Sequence, residues 1–474
     1  MDHCPPYWTA TPFLFLLLAI ALFPLVPGIS RWWKSNLHRA WIVLPLAGVT
    51  VVYYLFFHLD PLVAGWPVPH VTAPSPGGPN FAQARDVLAG AILGEYAPFI
   101  ILLFSLYTIT GGVRLEAHVA ARPATNAFWL AVGGILASFI GTTGAAMLLV
   151  RPLLAVNRKR RHVAHTAVFF IFIVCNCGGC LLPVGDPPLL LGYLLGVPFL
   201  WPLRLWPQWL MVNGLLLTIY YLLDRFWYPR ERLEDVAAAP LSPCGRGGGG
   251  EGKSRSEREV PVARCLRLLG FWPHGPLLLL VIAAVATLDP ISPVPGTTWH
   301  AWIYLREAVL LGLAAVSLVL GGQAIRRANH FNYDAMIEVA VLFLGIFVCM
   351  QPLLEILAAR GPQLGLATPT QFFWASGGLS SVLDNAPTYV VFFQTARTLT
   401  PAGTGLPPDP LLVAISLGSV FMGAMTYIGN GPNFMVKSIA EHFGVPMPGF
   451  FRYMLYSGLI LLPLLVLTNW IFLR

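Results

Sequence analysis

Asp186 stands in the stretch CNCGGCLLPVGDPPLLLGYLLG, residues 175–196, between a glycine and two prolines and with no lysine or arginine beside it. The segment is otherwise apolar. Gly-Asp-Pro-Pro cannot continue a helix, because proline lacks the backbone N–H and clashes with the preceding turn. The chain therefore breaks a helix and places a charge at the same spot. Asp384 stands in a similar setting, SSVLDNAPT (380–388). Both aspartates are candidates for ion chemistry, because ionisable groups inside apolar segments are costly and functional by default. Each can hold a proton or a cation. Competition between the two for one carboxylate is a sufficient mechanism for exchanging sodium against protons. The structural alternative is that Asp186 only caps the helix that follows it.

Neutral oxygens cluster at the same breaks: Thr142, Thr143, Asn176, Ser381, Asn385, Thr388, Asn430 and Asn433, with Gly185, Pro187 and Gly429 at the interruptions themselves. Irregular backbone at membrane depth survives only inside protein or beside a water-filled cavity, where its carbonyls can serve as ligands. Sodium prefers such hard oxygen ligands. Glu95, in LGEYAPF, lies near the middle of another apolar run and is a further candidate for the site. Glu355 and Arg151 read as snorkelling groups near membrane ends, and His162 and His165 as solvated residues after a basic run. Cys175, Cys177 and Cys180 have metal-like spacing but no accompanying histidine, so they read as small buried side chains; no bound metal is expected beyond a transported sodium ion, and no cofactor.

The chain that must position these residues has 474 residues, is 56% hydrophobic and 11% charged, and has a mean hydropathy of +0.69. Soluble domains carry roughly 25% charge. Many apolar runs have the length that crosses a bilayer core, so the lipid bilayer is the expected environment. The net charge of +8 is accounted for by basic cytoplasmic loops and requires no nucleic acid. The run Thr11–Val26 has no basic region before it and no A-x-A-like site after it, which favours a retained first helix over a cleaved signal.

Basic clusters at 31–39, 157–162, 229–267 and 326–327 read as cytoplasmic, and the Pro/Gly-rich stretches 59–83, 291–300 and 398–410 as external. These assignments divide the chain into N-terminal scaffold helices (1–84), a first repeat (85–228), a cytoplasmic linker (229–270) and a second repeat (271–474). Runs 127–156 and 371–397 each begin and end on one side and are interrupted in the middle, which predicts two re-entrant hairpins. Runs 165–200 and 411–440 read as broken spans. GTTGAAMLL pairs with NAPTYVVFF, and PVGDPPLLL with YIGNGPNFM, at nearly the same separation in each half. The expectation is an all-α polytopic membrane protein with about eleven transmembrane helices plus two hairpins in an inverted repeat. GGGGEGKS (247–254) matches the phosphate-binding pattern, but its flanks and the short linker around it leave no room for a nucleotide domain. No Ser-His-Asp set, H-E-x-x-H or acyl-transfer motif lies in the spans, so the chain reads as no enzyme.

At these residues the sequence resembles the ion transporter superfamily, and within it NhaD-type sodium/proton antiporters and the neighbouring citrate transporters. SSVLDNAPT is similar to the S-x-x-L-D-N-x-P/T-T hairpin motif of that group, and NCGGCLLPVGDPPLLLG to its S-N-I-G-G-x-x-T-x-x-G-D-P-P motif. The resemblance covers roughly 85–228 and 300–474. It implies scaffold and transport parts, elevator-type movement, a homodimer, a prokaryotic inner (cell) membrane location, and binding roles for Asn176, Asp186, Asp384, Asn385, Thr388 and Asn433. The first hairpin lacks the Asp-Asn pair of the second, and Cys177, Cys180 and Leu182 depart from the motif. Sodium or another monovalent cation and protons are the expected partners. A sodium-coupled carboxylate symporter, for citrate or a similar acid, is the alternative; arsenite efflux and a nucleotide-driven pump with a separate ATPase subunit are weaker ones.

Overall fold

A computed structural model describes the chain except residues 1–3, 25, 27, 34, 65, 69, 76, 232–264, 289–297, 330 and 401–404. Most of the linker, and with it the stretch 247–254, lies outside the described residues. Helices dominate, but the fold is not purely α. Leu62–Ala64 pairs with His70–Thr72, and Arg114–His118 pairs with Cys265–Leu269, both antiparallel. The second pair corrects the reading of 229–270 as linker throughout: its last residues form a strand against the loop that follows Ala97–Thr110.

Helical hairpins and interrupted helices follow one another along the chain. The first hairpin is Pro123–Ile140 and Thr142–Val156, and the first broken span is Ala164–Ile173, a one-turn helix Cys177–Leu181, and Pro187–Leu194. The second hairpin is Pro369–Ser380 and Asn385–Arg397, and the second broken span is Asp409–Met422, Gly423–Met425 and Gly431–His442. The first hairpin turns at Gly141, whose φ of 81° is open to glycine and strained for other residues. The helix of the second hairpin opens with a reciprocal cap between Thr368 and Gln371. Pro187 and Pro188 occupy the first turn of their helix, where the missing N–H costs nothing.

Burial separates the inner elements from the outer ones. Ala164–Ile173 buries every residue from Thr166 onward, as a helix apolar all round must when it runs inside protein. Asp409–Met422 is nearly as enclosed. Phe450–Phe472 instead buries a single stripe, Tyr453, Ser457, Leu461, Leu464, Leu465 and Thr468, and exposes Phe451, Leu455, Leu459 and Trp470. Among the described residues five helices are long and apolar enough to cross a bilayer: Asn36–Phe56, Phe81–Thr110, Pro123–Ile140, Ala164–Leu181 and Phe450–Phe472. The pair Asp334–Cys349 and Gln351–Leu364, bent by 43°, would make a sixth.

Two polar networks tie separate elements together, and both revise the sequence reading. His165 is not solvated. It donates to Asp224 at 2.8 Å, and the same fully buried carboxylate accepts from Arg160, Tyr220 and Asn126, the last from the base of the first hairpin. Glu355 does not snorkel. It accepts from the Tyr54 hydroxyl at 2.6 Å and from His58 Nε2 at 3.0 Å. Burial works against a charge on His58, but the hydrogen bond and charge of Glu355, with Gln83 and Asp60, hold its pKa above the usual histidine value.

Removing the Asp224 carboxylate alone, as in Asp224→Ala, leaves the buried Arg160 with only the more distant Glu231, at 3.7 Å, as counter-charge, so a loss of about 3 kcal/mol is expected in a denaturant melt of the purified protein. Replacing the pair together, Arg160→Met with Asp224→Leu, should recover much of that loss. The His58 tie has the sign of a raised pKa: its stabilisation is complete below the ordinary histidine pKa of 6.5 and is lost as pH rises through the raised value. The melting temperature should therefore step down on raising the pH above 6.5 in the unmodified protein. That step should be absent in His58→Gln, and a profile unchanged by the substitution would rule the tie out as its source.

Candidate functional site

The two breaks adopt the same backbone conformation. Asp186 has φ −144° and ψ 142°, and Asn430 has φ −153° and ψ 138°; the residues that end the short turns before them, Leu182 and Thr426, are both extended as well. In each break the chain folds back on itself over glycine. A Cβ on Gly185 would stand 2.2 Å from Gly179 O, and one on Gly429 would stand 2.6 Å from Gly423 O. These crossings explain the glycines: no side chain fits between the strands of backbone.

The halves then interlock. Asn385–Arg397 of the second hairpin packs on Pro187–Leu194 of the first broken span, and Thr142–Val156 of the first hairpin packs on Gly431–His442 of the second. This exchange brings residues of all four elements to one point, the Asp186 carboxylate, which is almost completely buried. It accepts from Thr142 Oγ1 at 3.0 Å, Asn385 Nδ2 at 2.7 Å and Asn430 Nδ2 at 3.2 Å. Around it, Asn176 donates to Asn433 Oδ1 at 2.8 Å, and Asn433 donates to the carbonyls of Gly423 and Thr426. Asn430 also lies against Asn176 Oδ1 and Cys175 O. No lysine or arginine enters this network among the described residues.

Asp186 opens the helix Pro187–Leu194 but makes no side-chain cap to it. Capping alone is therefore not its role. The cap is made by the other aspartate: Asp384 accepts from Ala386 N at 3.4 Å. Asp384 is half-buried and within electrostatic reach of Asp186. The remaining sequence candidates divide. Gly185 O accepts from Thr142 N at 2.8 Å and closes the hairpin tip against the first break. Gly429 N donates to Thr426 Oγ1, and that hydroxyl donates to Ser381 O, which closes the second tip in a similar way. Thr388 is held within its own turn by Asp384 O, the Ser381 hydroxyl by Gly378 O, and Pro187 contributes its ring to the helix start. Thr143 is half-buried and is not among the groups bonded to Asp186. Glu95 is elsewhere: it lies on a π-helical turn, Gly90–Tyr96, meets Gln351 Nε2 at 3.4 Å, and lines a cavity of about 1390 Å³ whose lining includes neither aspartate.

The freed carbonyls do less than the sequence suggests. Cys177 O accepts from Asn213, Gly178 O from Ser138 and Trp209, Ala424 O from Tyr453, and Met425 O from Ser457. Trp209, Asn213, Tyr453 and Ser457 belong to the long helices Trp206–Trp227 and Phe450–Phe472, and their part was missed in the sequence; polar residues within apolar spans were the available signal. Among the described residues Asn213 Oδ1 stays open beside the first break, and a second open oxygen lies beside Asp186 itself. Asn385 Oδ1 is buried and has no hydrogen-bond partner, while its own amide nitrogen holds Asp186. A buried acceptor without a partner costs free energy until a hydrogen-bond donor or a cation meets it.

Residues 79–473 match the model of the family described as "Putative citrate transport". The chain belongs to that family. It is 24% identical over 369 residues to the uncharacterized transporters Mb2703 of Mycobacterium bovis and Rv2684 of Mycobacterium tuberculosis, covering 73% of this chain and 78% of each relative. The YdaH transporter of Alcanivorax borkumensis, a solved structure described as having an unusual topology, is similar over 92% of this chain and 96% of its own, at 15% identity and a TM-score of 0.43. The protein is a multi-pass membrane transporter of the citrate-transport family.

The crossings make a specific prediction. Gly185→Ala overpacks a backbone contact, so a loss of about 1–3 kcal/mol and of transport activity is expected. Gly214→Ala, with nothing within 4 Å of its new methyl, should be indistinguishable from the unmodified protein in both assays.

Proposed function

We propose that the chain is a secondary active transporter whose coupling site is the Asp186 carboxylate, and that it exchanges sodium, or another monovalent cation, against protons. The observation that carries this reading is the pairing of one buried carboxylate with one unsatisfied buried oxygen, Asn385 Oδ1, in a network of neutral donors. Two carboxylates within electrostatic reach, with no cationic side chain in the network, favour a shared cation or a bound proton over two bare charges. Cation and proton then exclude one another, which is the requirement for antiport. Asp186, Asp384, Asn385 and Asn176 are the residues assigned to the ion, with Thr142, Asn430 and Asn433 holding them.

In this reading the two halves form an inverted repeat, the hairpins and broken spans move as a transport part against the outer helices in elevator fashion, and the protein works as a homodimer in a prokaryotic inner membrane. The recurrence of one backbone conformation at Asp186 and Asn430, and the mutual packing of hairpins and broken spans, supports the repeat. A second reading is favoured by the family: sodium-coupled symport of citrate or a similar carboxylate. Helix N-termini and Ser/Thr/Asn groups can hold a carboxylate without arginine. The aspartates then serve as sodium ligands.

Everted vesicles carrying a respiration-driven pH gradient and a pH-sensitive dye separate the two. Sodium or lithium should collapse the gradient in the unmodified protein, Asp186→Asn should abolish the response, and Asp384→Asn should weaken it. No response to cations, together with sodium-dependent uptake of labelled citrate in right-side-out vesicles, would replace exchange by symport.

A further inference from the structure

Arg151 is not the simple anchor its sequence position suggests. It lies on Thr142–Val156, the second arm of the first hairpin, and is half-buried. It has no hydrogen-bond or ion-pair partner among the described residues. It lines a cavity of about 450 Å³ together with Arg114, Glu116, Met147, Asn329 and Phe443. This volume is within the range of small-molecule sites.

The walls come from separate parts of the fold. Met147 and Arg151 belong to the hairpin arm, and Phe443 follows the helix Gly431–His442 of the second broken span. Arg114 and Glu116 belong to the strand Arg114–His118, which is anchored by Cys265–Leu269. Asn329 is fixed by donating to the carbonyls of Gly111 and Val113 at 3.1 and 2.8 Å, which places the start of that strand.

Charge decides what the cavity takes. Its charged lining residues are two arginines and one glutamate. Arg114 Nε meets Glu116 Oε1 at 3.1 Å, so the carboxylate is already engaged. Arg151 is left as a half-buried guanidinium within electrostatic reach of a second one. Two like charges sharing a partly dry space are unfavourable without a counter-charge, and guanidinium is shaped to hold carboxylate or phosphate through two parallel hydrogen bonds. The apolar sides, Met147 and Phe443, exclude water and strengthen such a pair.

We propose that this cavity is an oxyanion site, with Arg151 as the principal ligand and Arg114 as the second. Its ligand is a compact carboxylate or phosphate, either free in solution or carried on an anionic lipid headgroup. The occupant bridges the first hairpin and the strand pair. The site is distinct from the Asp186 network, and its existence does not depend on which ion or acid that network carries.

The test uses the full chain in nanodiscs of neutral phosphatidylcholine, with thermal melting followed as citrate or pyrophosphate is titrated at constant ionic strength against chloride. A saturable upward shift is expected. In Arg151→Gln the half-saturation should be about tenfold weaker. Arg114→Gln should weaken it as well, and Asp186→Asn should leave it unchanged, which separates this site from the transport network. A shift with the soluble probes identifies a free oxyanion as sufficient. A shift seen only when phosphatidylglycerol replaces part of the neutral lipid, and lost in Arg151→Gln, identifies a headgroup. Should Arg151→Gln fail to fold, Arg151→Lys keeps the charge and loses the fork, and the same weakening is expected. An equal shift with chloride, an unaltered response in the arginine variants, or no response to either soluble probe or the anionic lipid would overturn the proposal.

Discussion

Backbone polar groups cannot be left open at membrane depth, and much of this structure follows from that constraint. Two helices are interrupted and two helical hairpins turn inside the protein. The N–H and C=O groups released there must find partners in side chains, since lipid offers none. Asp186 is the centre of the solution. It receives Thr142 from one hairpin, Asn385 from the other and Asn430 from the second break, so one carboxylate holds the tips of four elements. Around it the amides of Asn176 and Asn433 carry the pattern onward to the carbonyls of the second break.

This arrangement makes structure and chemistry inseparable at the site. The groups that hold the breaks together also surround a buried oxygen without a hydrogen-bond partner, Asn385 Oδ1. A cation entering there would meet a carboxylate and amide oxygens that are held in place by mutual hydrogen bonds, which is the preorganisation that selective ion binding requires. The outer helices supply the rest. Trp209, Asn213, Tyr453 and Ser457 reach from the long helices Trp206–Trp227 and Phe450–Phe472 to quench carbonyls of the breaks, so those helices support the site as well as enclosing it.

The networks away from the site follow a different logic. Arg160, His165 and Asp224 join the base of the first hairpin to the end of Trp206–Trp227, and Tyr54, His58 and Glu355 join the first long helix region to a bent one. Each buries charge only where an opposite charge and further donors accompany it, as the desolvation cost demands. Arg151, half-buried beside Arg114, lacks that company within the described chain.

Local sequence by itself determined where the helices must stop. Gly141, Gly185, Pro187, Pro188 and the Asp384–Asn385 turn act through their own backbones, so hairpins, breaks and the prominence of Asp186 were legible without coordinates. Its apolar composition likewise determined a membrane protein. What each polar side chain bonds to was decided only by tertiary structure. Asp384 and Asp186 look equivalent in sequence, yet one caps its own helix and the other gathers distant donors. His165 and Glu355 looked solvent-facing, and Glu95 looked central, because their partners are far away in the chain: Glu355 meets Tyr54 across 301 residues and Glu95 meets Gln351 across 256. Local conformation is a property of neighbours in sequence, whereas the satisfaction of a buried charge depends on which elements the packing brings together.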